Sequence, residues 1–180
     1  MAQTETTTPL FEAQAELIVE ATPTEVYALV SDLPRSREWS PECTGGEWIS
    51  GTPGTPGAVF RGHNLRGEDV VSWAPVVRGT WTTEAEIHTA VPGTEFSWAM
   101  RDSQGRAQTS VWAFRMIREP NGCRLVHHFR MDTPTEGIRK ITQDMGDDER
   151  RRFITEWGAK VGADLHETLR RIRAIVESER

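Results

Sequence analysis

Between Glu12 and Asp132 apolar and polar residues alternate in short runs, and beyond Glu149 the period of the pattern changes. From Glu149 to Glu177 there is no proline, and Phe153, Trp157, Val161, Leu165, Leu169, Ile172 and Val176 recur at steps of four or three. At 3.6 residues per turn this spacing predicts a helix of about eight turns with one apolar stripe. The earlier segments repeat with period two, as strands with one buried face do. Ala13, Ala15, Leu17 and Val19 share one face of a first strand, predicted over 13–20. Trp81, Thr83, Ala85 and Ile87 share another; Phe96, Trp98 and Met100, then Trp112, Phe114 and Met116, and finally Leu125, His127, Phe129 and Met131 continue the series. Pro92-Gly93 and Pro120-Asn121-Gly122 mark turns between consecutive strands.

After the first strand Thr22, Pro23 and Glu25 form a helix start: an N-cap hydroxyl, a proline at the first helical position and a glutamate that closes a capping box. Val26, Tyr27, Leu29 and Val30 continue this helix to Asp32 and Pro34, and Arg35–Pro41 reads as another helical turn. A glycine-studded strand pair follows from about Cys43 to Leu65, broken at 51–57. Residues 66–79 hold Val70, Val71, Trp73, Val76 and Val77, but Gly67, Pro75 and Gly79 argue against a central strand, so an elaborated hairpin loop or flap is expected. Residues 133–148 read as a polar connection, and residues 1–10 as a disordered tail ahead of a single domain over 11–180.

The predicted order is strand, short helices, six more strands, long helix. Tight turns between consecutive strands give an antiparallel meander, and one helix covers only part of a seven-stranded sheet. The sheet therefore has to curl around the helix. The expected class is α+β, a curved antiparallel seven-stranded sheet gripping a long C-terminal helix, with two short helices after the first strand. A gap between such a sheet and its helix suits an apolar ligand.

Seven tryptophans sharpen the picture. Trp81, Trp98 and Trp112 fall on the inward parity of three strands and Trp157 on the helix stripe. Each alone is consistent with core packing; together they predict one cavity with flat aromatic walls, whose buried indole N–H groups need polar partners. Gly158 and Gly162 inside the helix cost roughly 1 kcal/mol each relative to alanine. They mark either close approach to the sheet or space for a ligand beside Trp157. Inward polar residues are few: Asn64 shares a face with Phe60, and His127 lies among Leu125, Phe129 and Met131. His127 reads as a structural histidine or, if it titrates near neutrality, as a proton donor or acceptor. The candidate ligand-binding set is Phe60, Asn64, Trp81, Trp98, Trp112, Phe114, His127, Phe129, Met131, Phe153, Trp157 and Val161, with no residue assigned as a catalyst.

Several classes drop out. The formal charge is −6 with acids and bases interspersed, which offers no basic face for nucleic acid. Cys43 and Cys123 lie 80 residues apart without CxxC spacing, as expected of reduced thiols rather than a disulfide framework or zinc site. His128 points opposite to His127 in a strand, and His63, His88 and His166 lack metal spacing, so no metal is expected. Ser40 and Cys43 sit in no nucleophile elbow, and Cys43 reads as structural. The runs Asp147–Arg152 and Arg170-Arg171 read as solvated faces. No apolar segment approaches 18 residues, and the threonine-rich start is unlike a signal peptide, so a cytoplasmic monomer or homodimer is expected.

The chain also resembles the START/SRPBCC superfamily of helix-grip, birch-pollen-allergen-like proteins, and most of all its actinobacterial polyketide cyclase/dehydrase branch. The resemblance rests on Glu38-Trp39-Ser40-Pro41-Glu42-Cys43, Gly57-Ala58-Val59-Phe60-Arg61-Gly62-His63-Asn64, Trp81-Thr82-Thr83, Pro92-Gly93-Thr94-Glu95-Phe96 and Thr168-Leu169-Arg170-Arg171-Ile172. It extends over about residues 12–178, with 66–79 longer than the usual hairpin and 133–148 an extended lid-like connection. It implies a cofactor-independent domain that encloses a hydrophobic, aromatic or polyketide-like molecule as a carrier or sequestering protein. The alternatives are an aromatase/cyclase acting on a poly-β-keto chain, where His127 or Asn64 would polarise a carbonyl, and a protein-interaction module.

Overall fold

The structure, a computed structural model, describes residues 8–179. Of the expected N-terminal tail, residues 1–7 lie outside the described residues; Leu10 already donates its amide to the Asp132 carbonyl at 3.3 Å, ahead of the first strand. The strands are β1 (Phe11–Val19), β2 (Cys43–Ser50), β3 (Val59–Arg66), β4 (Gly79–Val91), β5 (Glu95–Arg101), β6 (Ala107–Glu119) and β7 (Gly122–Met131). They form one sheet in the order β1-β7-β6-β5-β4-β3-β2, every pairing antiparallel. Among the described residues four α-helices complete the fold: α1 (Pro23–Ser31), α2 (Ser36–Trp39), α3 (Glu136–Thr142) and α4 (Asp147–Ser178). This is the expected helix-grip arrangement. β1 begins two residues earlier than its alternation suggested, because Phe11 pairs with Met131 and continues the inward face.

Local chemistry explains the boundaries. The Thr22 hydroxyl accepts from the Glu25 amide at 3.2 Å, and the Glu25 carboxylate accepts from the Thr22 amide at 2.7 Å, which satisfies two orphan donors at the start of α1. The helical turn predicted within Arg35–Pro41 is α2, entered through a 3-10 turn at Leu33–Arg35. The predicted connection 133–148 contains α3, capped by the Thr135 hydroxyl on the Ile138 amide at 3.3 Å. The α3–α4 turn is tied by Arg150, which donates to the carbonyls of Thr142 and Met145, so this member of the charge run is not merely solvated.

The α4 stripe is buried as its spacing predicts: Phe153, Leu165, Leu169 and Ile172 are fully enclosed. They pack with Val19, Leu125 and the α1 residues Val26 and Val30 into one core, where truncation of a large side chain to alanine typically costs about 2–5 kcal/mol. That core runs along α4 from Phe153 to Val176. Along the middle of α4, from Trp157 to Thr168, one side of the helix stands apart from the sheet, and the candidate site lies there.

Candidate functional site

Rings cover the concave face of β5–β7. From Trp157 they run to Phe129 (centroids 5.8 Å apart), to Trp112 (4.2 Å), to His127 (5.8 Å) and to Phe114 (4.1 Å). Phe114 then meets Trp39 edge-on at 5.6 Å and Trp98 at 5.9 Å. Cross-strand register produces this series: Trp98 opposes Trp112, Trp112 opposes Phe129, and Phe114 opposes His127. Aromatic pairs across a sheet contribute roughly 0.2–1 kcal/mol each and leave a stiff, flat wall.

Two chambers open against this wall. The smaller, about 180 Å³, lies under α2 and is bounded by Trp39, Phe60, Asn64, Trp98, His127 and Thr168 among others. The larger, about 290 Å³, is bounded by Val76, Val77, Phe129, Met131, Ile138, Ile141, Trp157 and Val161. Glu42, Trp81, Thr83, Met100, Trp112 and Asp164 belong to both walls. The four tryptophans expected around one cavity are therefore divided: Trp81 and Trp112 stand between the chambers, Trp98 lines the smaller and Trp157 the larger.

Of the residues expected at the site, neither chamber wall includes Phe114 or Phe153. Phe114 is enclosed between Trp39, Trp98 and His127, and Phe153 packs against Trp73, so both are core residues although their parity is inward. Asn64 is on the wall, but its side-chain amide donates to the Gly62 carbonyl at 3.3 Å and the Thr83 hydroxyl at 3.2 Å.

His127 is buried, and neither ring nitrogen has a hydrogen-bond partner among the described residues. Burial, with a smaller contribution from neighbouring His128, pushes its pKa down to about 3. It is neutral across the physiological range and does not shuttle protons there. His128 takes the opposite parity and meets Glu12 on the outer face at 2.7 Å. Trp39 and Trp81 likewise carry buried indole nitrogens with no partner among the described residues.

Sequence reasoning missed a charged group at the junction. The Lys160 ammonium lies 2.5 Å from a Glu42 oxygen and 2.5 Å from an Asp164 oxygen. Arg66 grips the same Glu42 carboxylate through Nε at 2.7 Å and Nη2 at 3.0 Å, with its guanidinium 4.7 Å from the Trp81 ring centroid. Burial pushes the Glu42 carboxyl up, but hydrogen bonding from Arg66 and the charge of Lys160 outweigh it and hold the group low. Asp164 goes the other way: burial raises its pKa, and Lys160 offsets only part of the rise. A signal existed, since Lys160 and Asp164 follow Trp157 by three and seven residues and so share its helix face.

Two further readings are settled by contacts. A Cβ on Gly158 would stand 2.4 Å from the Phe11 ring, so this glycine permits close approach rather than ligand space; at Gly162 nothing lies within 4 Å. Cys43 is half-buried on the smaller chamber's wall, with Sγ 3.0 Å from the Ser36 hydroxyl and 3.3 Å from the Gly45 carbonyl. The Ser40 hydroxyl accepts from the amides of Glu42 and Cys43, a local turn that positions Glu42.

The loop 67–78 forms one rim of the larger chamber. Arg78 organises it by donating to the carbonyls of Glu68, Val70, Val71, Ala74 and Val76 at 2.9–3.2 Å. Trp73 pins the loop to α4: its Nε1–H donates to Glu156 at 2.7 Å, and the Arg152 guanidinium lies over its ring at 4.5 Å.

The fold, with a two-chambered cavity between sheet and helix, defines a helix-grip domain. Residues 19–156 match the family described as polyketide cyclase / dehydrase and lipid transport, and the chain belongs to that family. It is similar to the solution structure of a polyketide-cyclase-like protein from Corynebacterium glutamicum, at 29% identity and TM-score 0.60 over 93% of this chain and 92% of that one. It shares its fold with the Zhui aromatase/cyclase from Streptomyces sp. R1128 (16% identity, TM-score 0.61, 93% of this chain and 93% of that one). The di-domain aromatase/cyclase StfQ from the steffimycin biosynthetic pathway also aligns, at 12% identity and TM-score 0.64 over 93% of this chain and 51% of that one. No curated protein sequence matches the chain. Among the described residues no helix is long and apolar enough to cross a membrane.

Proposed function

We propose that this protein encloses a hydrophobic small molecule, aromatic or polyketide-like, in the cavity between its sheet and α4, and acts as a carrier or sequestering protein. The observation that carries this reading is the pair of chambers walled by Trp81, Trp98, Trp112 and Trp157. Flat rings on the wall favour a planar guest, and enclosure removes most of its apolar surface from water at about 25 cal/mol per Å². The ten chamber residues of the sequence-derived set, from Phe60 to Val161, form the proposed binding surface. A fluorescence titration tests it: a planar aromatic ligand quenches tryptophan emission at micromolar concentration, and Trp157→Ala weakens binding by removing a wall of the larger chamber. Unchanged affinity in Trp157→Ala would move the site elsewhere.

One observation favours an aromatase/cyclase as the second reading, and it is Asp164 rather than His127. The Asp164 carboxylate, its basicity raised by burial and its partner the Lys160 ammonium on the cavity wall, can accept an enol proton while Lys160 hydrogen-bonds the ketone oxygen. As the enol carbon attacks that ketone, the enol O–H passes its proton to Asp164 and the new carbon–carbon bond leaves an alkoxide. The alkoxide takes a proton from Lys160, which Asp164 then restores. Loss of turnover in Asp164→Asn with retained ligand affinity would select this reading over carriage.

A further inference from the structure

The two chambers meet at six shared residues: Glu42, Trp81, Thr83, Met100, Trp112 and Asp164. Four of these are apolar or carry a hydroxyl, and the two carboxylates are held by Arg66 and Lys160. Four charged side chains thus gather at the junction, while the rest of each wall mixes aromatic and aliphatic residues with polar ones, such as Ser36, Asn64 and Thr168 in the smaller chamber and Arg101, Gln108 and Ser110 in the larger. A guest that used one chamber would leave the charged junction at its edge; a guest that used both would thread it.

We propose that the ligand is a neutral, two-lobed molecule whose apolar lobes fill the two chambers and whose carbonyl oxygen sits at the junction against the Lys160 ammonium. The inference rests on the binding reading above and specifies the class of ligand. Size sets the lobes. An apolar cavity of about 150 Å³ holds one benzene ring, so the smaller chamber, at about 180 Å³, suits a single ring. The larger, at about 290 Å³, suits two fused rings.

Charge sets the linking group. Glu42 and Asp164 balance Arg66 and Lys160 when all four are ionised, so the junction offers no net positive charge to a carboxylate. It does offer a donor. The Lys160 ammonium has three N–H groups and two carboxylate partners, which leaves an N–H for a guest. A ketone oxygen accepts from such a group without adding charge, and a hydrocarbon of the same shape would strip the junction of water with nothing in return.

A ligand series on the intact chain tests this by fluorescence titration at neutral pH. The probes are phenyl naphthyl ketone, benzylnaphthalene (a methylene in place of the carbonyl), naphthalene and naphthoic acid. The ketone is expected to bind about tenfold tighter or more than benzylnaphthalene, the discrimination one hydrogen bond to a charged donor supplies, and tighter than naphthalene by at least as much. Ala85→Leu, which fills the smaller chamber, is expected to reduce ketone binding to the naphthalene level and leave naphthalene itself unaffected. Equal binding of ketone and benzylnaphthalene would overturn the role of the junction. Naphthalene binding as tightly as the ketone would overturn occupancy of both chambers yet leave the hydrophobic-ligand reading standing. Tightest binding by naphthoic acid would replace the neutral guest with an anionic one. Failure of every probe to bind would remove the binding reading itself.

Discussion

The imidazole of His127 lies almost flat against the ring of Phe114, with centroids 4.1 Å apart and planes inclined by 17°. Stacking of this kind suits a neutral ring, and burial keeps it neutral by lowering its pKa from 6.5 to about 3. The unfolded chain therefore takes up this proton first on acidification. Stability is intact above the unfolded value and is lost as pH falls from about 6.5 towards 3. Each unit of that window is worth up to about 1.4 kcal/mol. Replacing His127 with phenylalanine is expected to flatten the acid limb of stability between about pH 6 and 4. The His127 ring resonances should not titrate between about pH 5 and 8. A midpoint near the ordinary histidine value would contradict the burial argument.

Gly158 and Gly162 occupy the same helix and should respond to alanine with opposite signs. At Gly158 the added methyl meets the Phe11 ring, which is itself held against Phe129 and Trp157. The clash is expected to cost about 1–3 kcal/mol, more than the helix propensity gained. At Gly162 the methyl meets nothing within 4 Å, so Gly162→Ala should stabilise by up to about 1 kcal/mol. Urea unfolding of the two variants measures both signs, and stabilisation by Gly158→Ala would mean that Phe11 yields freely.

Arg78 should control the loop over the larger chamber. Its guanidinium satisfies five carbonyls between Glu68 and Val76, groups that no regular secondary structure serves. With Arg78→Ala, amide hydrogen exchange in residues 68–77 is expected to rise roughly tenfold or more while exchange in α4 stays unchanged. Because Val76 and Val77 face the larger chamber, the same variant should release a bound ligand faster. Unaltered exchange in the loop would show that Trp73 and its contacts with Glu156 and Arg152 suffice to hold it.

Elements set by local patterning were legible in the sequence, and features set by distant pairing were not. The α4 stripe and the Thr22–Glu25 box follow from spacing within a few residues, and strand parity placed Trp81, Trp98 and Trp112 on the concave face. Parity alone does not separate wall from core: Phe114 faces inward as Trp112 does, yet Trp39 arrives from α2 and seals it. The helix α3 was hidden by Pro134 and Gly137, because much of its support is tertiary. Glu136 accepts from the Ser103 amide at 2.7 Å and the Ser103 hydroxyl at 2.8 Å, and Ile138 is buried. The charged junction draws Glu42, Arg66, Lys160 and Asp164 from three separate segments. No local pattern links the first two to α4.

The central claim is that the cavity between sheet and α4 holds a hydrophobic small molecule, and native mass spectrometry of freshly purified protein tests it most directly. The account predicts a species heavier than the bare chain by the mass of a small organic molecule. That species should be lost on denaturation and depleted in Trp157→Ala. The bare chain alone, unchanged after incubation with planar aromatic ketones, would contradict it.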